Sequence, residues 1–174
     1  QTILAIIDGY VYQCITASFK EDEFLRVAPD SWRRKFGGLH GVAAQVCAQA
    51  IGHWAAQRGY FGQIAYVLEA GDDDQAEVDR RFQAIGRTVE QRRHIRYSSH
   101  TFARKGDARG LEVADYLASH WNKFDAETLS RSGHTRRSMR KDLAALVGSN
   151  PDKYRVFRFT GASLVRFLEA HGCH

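Results

Sequence analysis

Five consecutive apolar residues, Ile64, Ala65, Tyr66, Val67 and Leu68, lie between Gly62 and Gly71 with a helix-length amphipathic stretch on either side. A run this short, rich in β-branched and aromatic side chains and bounded by glycine, predicts a strand buried in a sheet. Upstream, Leu39, Val42, Ala43, Val46, Ala50, Ile51 and Trp54 recur at helical spacing. Gln45, Gln49, His53 and Gln57 fall on the wet side of that helix, and Gly59 ends it. Downstream, a helix is expected over residues 75–85, closed by Gly86. Helix, strand and helix in succession confine the chain to α/β architectures.

The other segments extend the alternation. Residues 2–10 satisfy helix and strand equally through Ile3, Leu4, Ile6 and Ile7, whereas residues 12–19 place Ile15, Ala17 and Phe19 on one face and predict a strand. Residues 21–38, with Pro29 and the Gly37–Gly38 break, read as a long connection. Strands are expected at 95–102 and 154–159, and helices at 111–124, 138–147 and 162–170. The length of 174 residues suits a single domain. The predicted fold class is α/β, a mixed sheet covered by helices.

Two acidic positions stand out. Glu112 and Asp115 lie three apart at the start of a helix whose buried stripe is expected to be Leu111, Ala114, Leu117 or Ala118, and Trp121. Like charges at that spacing repel. The pair requires a cation between the carboxylates, a proton on one of them, or a face open to water. Glu69 ends the 64–68 strand, and ligands of open α/β sheets bind beyond the carboxyl ends of strands. Asp72, Asp73 and Asp74 follow, with Asp73 or Asp74 expected to cap the next helix.

The net charge is +5, compatible with a polyanionic partner. Arg131, Arg136, Arg137, Arg140 and Lys141 form one basic cluster, and Arg87, Arg92, Arg93 and Arg96 form another. The first is expected to contact nucleic-acid phosphates through Arg136, Arg137, Arg140 and Lys141; a solvated basic face is the alternative. Cys14, Cys47 and Cys173 are too scattered for a disulfide frame or zinc site, so free thiols in a cytoplasmic protein are expected. No apolar run approaches the roughly 20 residues of a membrane span. Phosphate-cradling Gly-x-x-x-x-Gly-Lys, Gly-x-Gly-x-x-Gly, His-Glu-x-x-His and Gly-x-Ser-x-Gly patterns are absent. Of the histidines only His100 falls near the acidic segments, where it serves the site or is simply hydrogen-bonded.

Lys105 followed by Leu111–Glu112–Val113–Ala114–Asp115–Tyr116–Leu117–Ala118, with the acid-terminated strand at 64–69 upstream, resembles a bacterial family catalogued as domain of unknown function 3800. The family's helix reads Leu-Gln-x-Ala-Asp-x-Leu-Ala, so Glu112 stands where Gln is usual. The resemblance covers about residues 50–124 and implies a ribonuclease-H-like fold with metal-dependent nuclease activity. It implies Mg²⁺ or Mn²⁺ held by Glu69, Asp115 and Glu112, hard oxygen donors that suit such ions. Lys105 would neutralise the attacked phosphate or orient a carboxylate. The family's N-terminal Asp-Glu-Ser-Gly strand is not matched; Asp8–Gly9–Tyr10 comes nearest, and an upstream first strand is expected. The alternative is a nucleic-acid- or protein-binding module without catalysis on the same fold.

Overall fold

The computed structural model describes residues 3–71, 73–129 and 141–170. In chain order these form α1 (Ile3–Tyr10), β1 (Cys14–Phe19), α2 (Glu21–Val27), α3 (Asp30–Phe36), α4 (Gly38–Gln57), β2 (Ile64–Glu69), α5 (Gln75–Arg87), α6 (Val89–His94), β3 (Tyr97–Ala103), α7 (Arg109–Leu129), α8 (Lys141–Ser149), β4 (Tyr154–Phe159) and α9 (Gly161–Ala170). Helix and strand are mixed as expected, but the described strands make two separate pairs, β1 with β4 and β2 with β3, instead of one mixed sheet. The chain divides into two compact units. The first comprises Gln1–Thr16 and Lys105–Val156, the second Ala17–Arg104 and Phe157–His174.

In the first unit, α1 settles the ambiguity of residues 2–10 in favour of helix. Ile7, Cys14, Val113, Leu117, Trp121 and Leu146 form its core. The stripe on α7 is therefore rotated from the expected one: Val113 is buried and Ala114 exposed. Val113, Leu117 and Trp121 follow a strict i, i+4 row, and a valine repays burial more than an alanine. Lys153 is also buried, its Nζ donating to the Ile7 carbonyl at 2.7 Å, while Gln13 Nε2 donates to the Lys153 carbonyl at 2.9 Å.

The second unit holds two cores. Phe24, Ala28, Trp32 and Phe36 pack with Val42, Val46 and Leu164 in one. The expected connection over 21–38 is thus a pair of short helices. Phe24, Ala28, Trp32 and Phe36 are spaced four apart straight through Pro29, which stands just before α3 where its missing N–H costs nothing. Gly37 then turns the chain into α4 at φ +76°, a conformation that glycine alone adopts freely.

The other core gathers Ala48, Tyr66, Phe82, Ile85 and Ile95 around a βαβ unit. β2 runs parallel to β3, from Ile64 opposite Tyr97 to Glu69 opposite Ala103, and the parallel pairing requires the α5–α6 crossover. β2 is less covered than its composition suggests: Tyr66 is buried, its hydroxyl donating to the Ile95 carbonyl at 2.6 Å, but Val67 is 48% exposed. The strand has one packed face and one open face.

α4 contributes to both cores, with Val42 and Val46 in the first and Ala48 in the second. Gln45, expected on the wet side, is consequently only 5% exposed and accepts a 2.7 Å hydrogen bond from Arg81 Nε. At Gly52 the backbone of the α6–β3 joint comes so close that a Cβ would lie 2.3 Å from the His94 carbonyl oxygen and 2.9 Å from Ile95 Cα. Gly52→Ala is therefore expected to destabilise the protein by about 1–3 kcal/mol, since the backbone must shift by more than helix propensity returns. Gly148→Ala in α8, where nothing lies within 4 Å of the new methyl group, should instead stabilise by up to about 1 kcal/mol. Urea-unfolding midpoints of the two variants check the contrast; equal shifts would contradict the close approach at Gly52.

Candidate functional site

Lys105, Glu112 and Asp115 belong to the first unit and Glu69 to the second. Within the first, Lys105 Nζ lies 3.3 Å from Asp115 Oδ1, and both side chains are about half exposed. Glu112, one turn earlier on α7, is exposed and has no ion-pair partner among the described residues. Of the three ways to accommodate neighbouring acids, this helix uses two: water on an open face, and a lysine cation for one of the pair. Lys141, exposed at the start of α8, is the described member of its basic cluster; Arg131, Arg136, Arg137 and Arg140 lie outside the described residues.

In the second unit Glu69 ends β2 on the rim of a cleft of about 140 Å³, which it shares with His40, Leu68, Asp74, Val78 and Phe102. Asp74 occupies the N-cap position of α5 without making a side-chain cap; its carboxylate pairs with His40 Nδ1. His100 proves to be a hydrogen-bonded histidine. Nε2 lies 2.8 Å from Asp79 Oδ1 and Nδ1 lies 2.6 Å from the Tyr97 hydroxyl. Because a carboxylate only accepts, Nε2 carries a proton and the Tyr97 hydroxyl can donate to Nδ1. Among the described residues no group of three His, Cys, Asp or Glu side chains comes together closely enough to hold a metal ion.

The other basic group forms a second cleft, of about 310 Å³, between the start of β2, α6 and the start of β3. Phe61, Gln63, Arg92, Arg93, Arg96 and Tyr97 line it. Arg92 and Arg93 come from the last turn of α6 and Arg96 from the turn into β3, while the segment before β2 supplies the aromatic ring. Phe61 is 85% exposed, and the Arg96 guanidinium sits 5.7 Å from its ring centroid. Arg96 itself is left-handed at φ +53°, a conformation costly for a side chain of this kind. Its carbonyl accepts a 2.6 Å bond from the Ile64 N–H, which anchors the first step of β2 against β3.

Among the described residues none of Arg92, Arg93 and Arg96 has an acidic partner, so the cleft carries uncompensated positive charge. Burial pushes the Tyr97 phenol above its usual range, against the pull of the Arg92 guanidinium and with some help from Asp79. The basic group was visible in the sequence; Phe61 and Tyr97 were not singled out, although interleaving of aromatic and arginine residues was the available signal.

Comparison with protein-family models, with curated proteins and with solved structures finds no match to this chain. The described helices include none long and apolar enough to cross a membrane.

The half-exposed Lys105–Asp115 pair should contribute little to folding. Asp115→Asn is expected to shift the unfolding free energy by no more than about 0.5–1 kcal/mol. A loss of several kcal/mol in denaturant titration would instead reveal a structural role for the carboxylate.

Proposed function

We propose that the chain binds nucleic acid through the Phe61 cleft of its second unit. The observation that supports this reading is the conjunction of three arginines without acidic partners and an exposed aromatic ring. Each half of a single-stranded ligand finds its counterpart there. Phosphates are attracted by Arg92, Arg93 and Arg96, and a base with a free face stacks on Phe61, with the Arg96 cation on the same ring. The left-handed backbone at Arg96 fits a residue whose position is held for recognition. Cys14 and Cys47 are not joined in a disulfide, which accords with a cytoplasmic location.

The ribonuclease-H-like fold and metal-dependent hydrolysis implied by the resemblance form a second reading. Its support is Glu69 at the carboxyl end of β2, on a cleft shared with Asp74 and His40. The described donors do not amount to a resident cation site, since Asp74 is engaged by His40 and Asp115 by Lys105.

Fluorescence-anisotropy titration of labelled single-stranded oligonucleotides at several salt concentrations tests the first reading. Replacing Arg92, Arg93 and Arg96 by Ala should weaken binding and flatten the slope of log K against log salt by about two, at about 0.7 for each phosphate released on a single strand. Phe61→Ala should weaken binding by about 1–3 kcal/mol and leave the slope unchanged, because stacking releases no counterion. Absence of binding by the wild type rejects nucleic acid as the partner.

Calorimetric melting addresses the second reading. Mg²⁺ or Mn²⁺ should raise the melting temperature in a concentration-dependent way, and Glu69→Gln should remove the rise. No metal effect on the wild type, or one that survives the substitution, counts against hydrolysis at Glu69.

A further inference from the structure

Arg81 occupies a core slot. On α5 it falls between Val78 and Ile85 on the inward face, and it is only 8% exposed. Its Nε donates to Gln45 Oε1 at 2.7 Å, and its guanidinium carbon lies 4.7 Å from the centre of the Phe36 ring. Neither contact brings negative charge: Gln45 is neutral, and an aromatic face offers only its quadrupole. Among the described residues no carboxylate pairs with Arg81. Burial holds its pKa below the ordinary arginine range, although the group stays charged. A guanidinium buried this far is normally matched by an acid, since breaking its contact with water is otherwise uncompensated.

What faces Arg81 is a cavity of about 290 Å³. Its walls divide by chemistry. Lys35 and His94 add basic character, Phe36, Ile85 and Ile95 supply apolar surface, and Gln49, Thr88 and Gln91 supply polar rims. Glu90 is the one acid in the lining, and it is exposed. With Nε engaged by Gln45, the two terminal nitrogens retain the parallel donor pair that receives a carboxylate or phosphate in bidentate fashion.

We propose that this cavity binds a small organic anion, a carboxylate or phosphate head on a compact apolar body, whose head supplies the partner that Arg81 lacks. The body packs against Phe36, Ile85 and Ile95. Gln45 fixes the guanidinium so that its donors are oriented before the ligand arrives, which lowers the entropy lost on binding. The site uses no residue of the Phe61 cleft, so it stands independently of the nucleic-acid reading.

Isothermal titration calorimetry with benzoate, phenyl phosphate, inorganic phosphate and benzyl alcohol tests this. At least one of the two organic anions should bind saturably with unit stoichiometry and raise the melting temperature. Whichever binds more tightly identifies the head group. Inorganic phosphate and benzyl alcohol, each carrying half of the recognition, should bind at least about tenfold more weakly. Arg81→Met, close in volume, should weaken the organic anion by at least about tenfold while the protein stays folded, because removing an unpaired buried charge offsets the hydrogen bond that Gln45 loses. Gln49→Trp leaves Arg81 in place and narrows the mouth of the cavity; it should weaken binding likewise, and decides the matter if Arg81→Met does not fold. No saturable binding of either organic anion overturns the proposal. So does binding that both folded variants retain, or affinity for the tighter organic anion that is no greater than for inorganic phosphate.

Discussion

The second unit depends on one helix being buried from two directions. α4 sends Val42 and Val46 into the aromatic core of α2 and α3, and Ala48 into the core beneath β2 and β3. A helix with two apolar neighbours has no fully wet face, so its residues are selected for size as much as for polarity. Gly52 is small because the α6–β3 joint crosses it at contact distance. Gln45 is polar yet enclosed, and enclosure obliges it to find a hydrogen-bond partner, which α5 provides. The position of α5, and with it the crossover between β2 and β3, follows from what α4 lets approach.

That arrangement places the chemistry of the unit. The βαβ crossover brings Glu69 to the carboxyl end of β2, and the return through α6 sets Arg92, Arg93 and Arg96 beside Phe61. Both clefts are products of chain reversal: one opens where β2 ends, the other where β3 begins. Parallel pairing forces those two points apart by the length of a strand. The acidic and basic clefts of this unit are therefore separated by geometry.

Much of this was legible in the chain because period and punctuation agreed. Strands β1, β2, β3 and β4 and helices α4, α5, α7 and α9 fall where alternation and helical spacing put them, although α5 runs through Gly86, its expected stop, to Arg87. The misses have a shared cause. Phe24, Ala28, Trp32 and Phe36 carry a helical period of four, but Pro29 within it and the Gly37–Gly38 pair after it read as a loop, and a proline just ahead of a helix is not a breaker. Gln45 and Ala114 were assigned by residue type, whereas tertiary packing gave the burial to Gln45 and to Val113 instead. Arg81 could have been found: a charged residue at the i+3 place between Val78 and Ile85 on the inward stripe is a buried charge in need of a partner. Which strands pair with which is not encoded in local period at all, and the two separate strand pairs follow from contacts far apart in the chain.

α6 is six residues long and buries none of them. Val89, Arg92 and Arg93 face the Phe61 cleft, while Glu90, Gln91 and His94 face the cavity of Arg81. So short a helix therefore forms part of the wall of both spaces at once. Were an occupant of one space to shift it, linkage would require the free energy so added to or removed from binding in the other to be returned in equal measure.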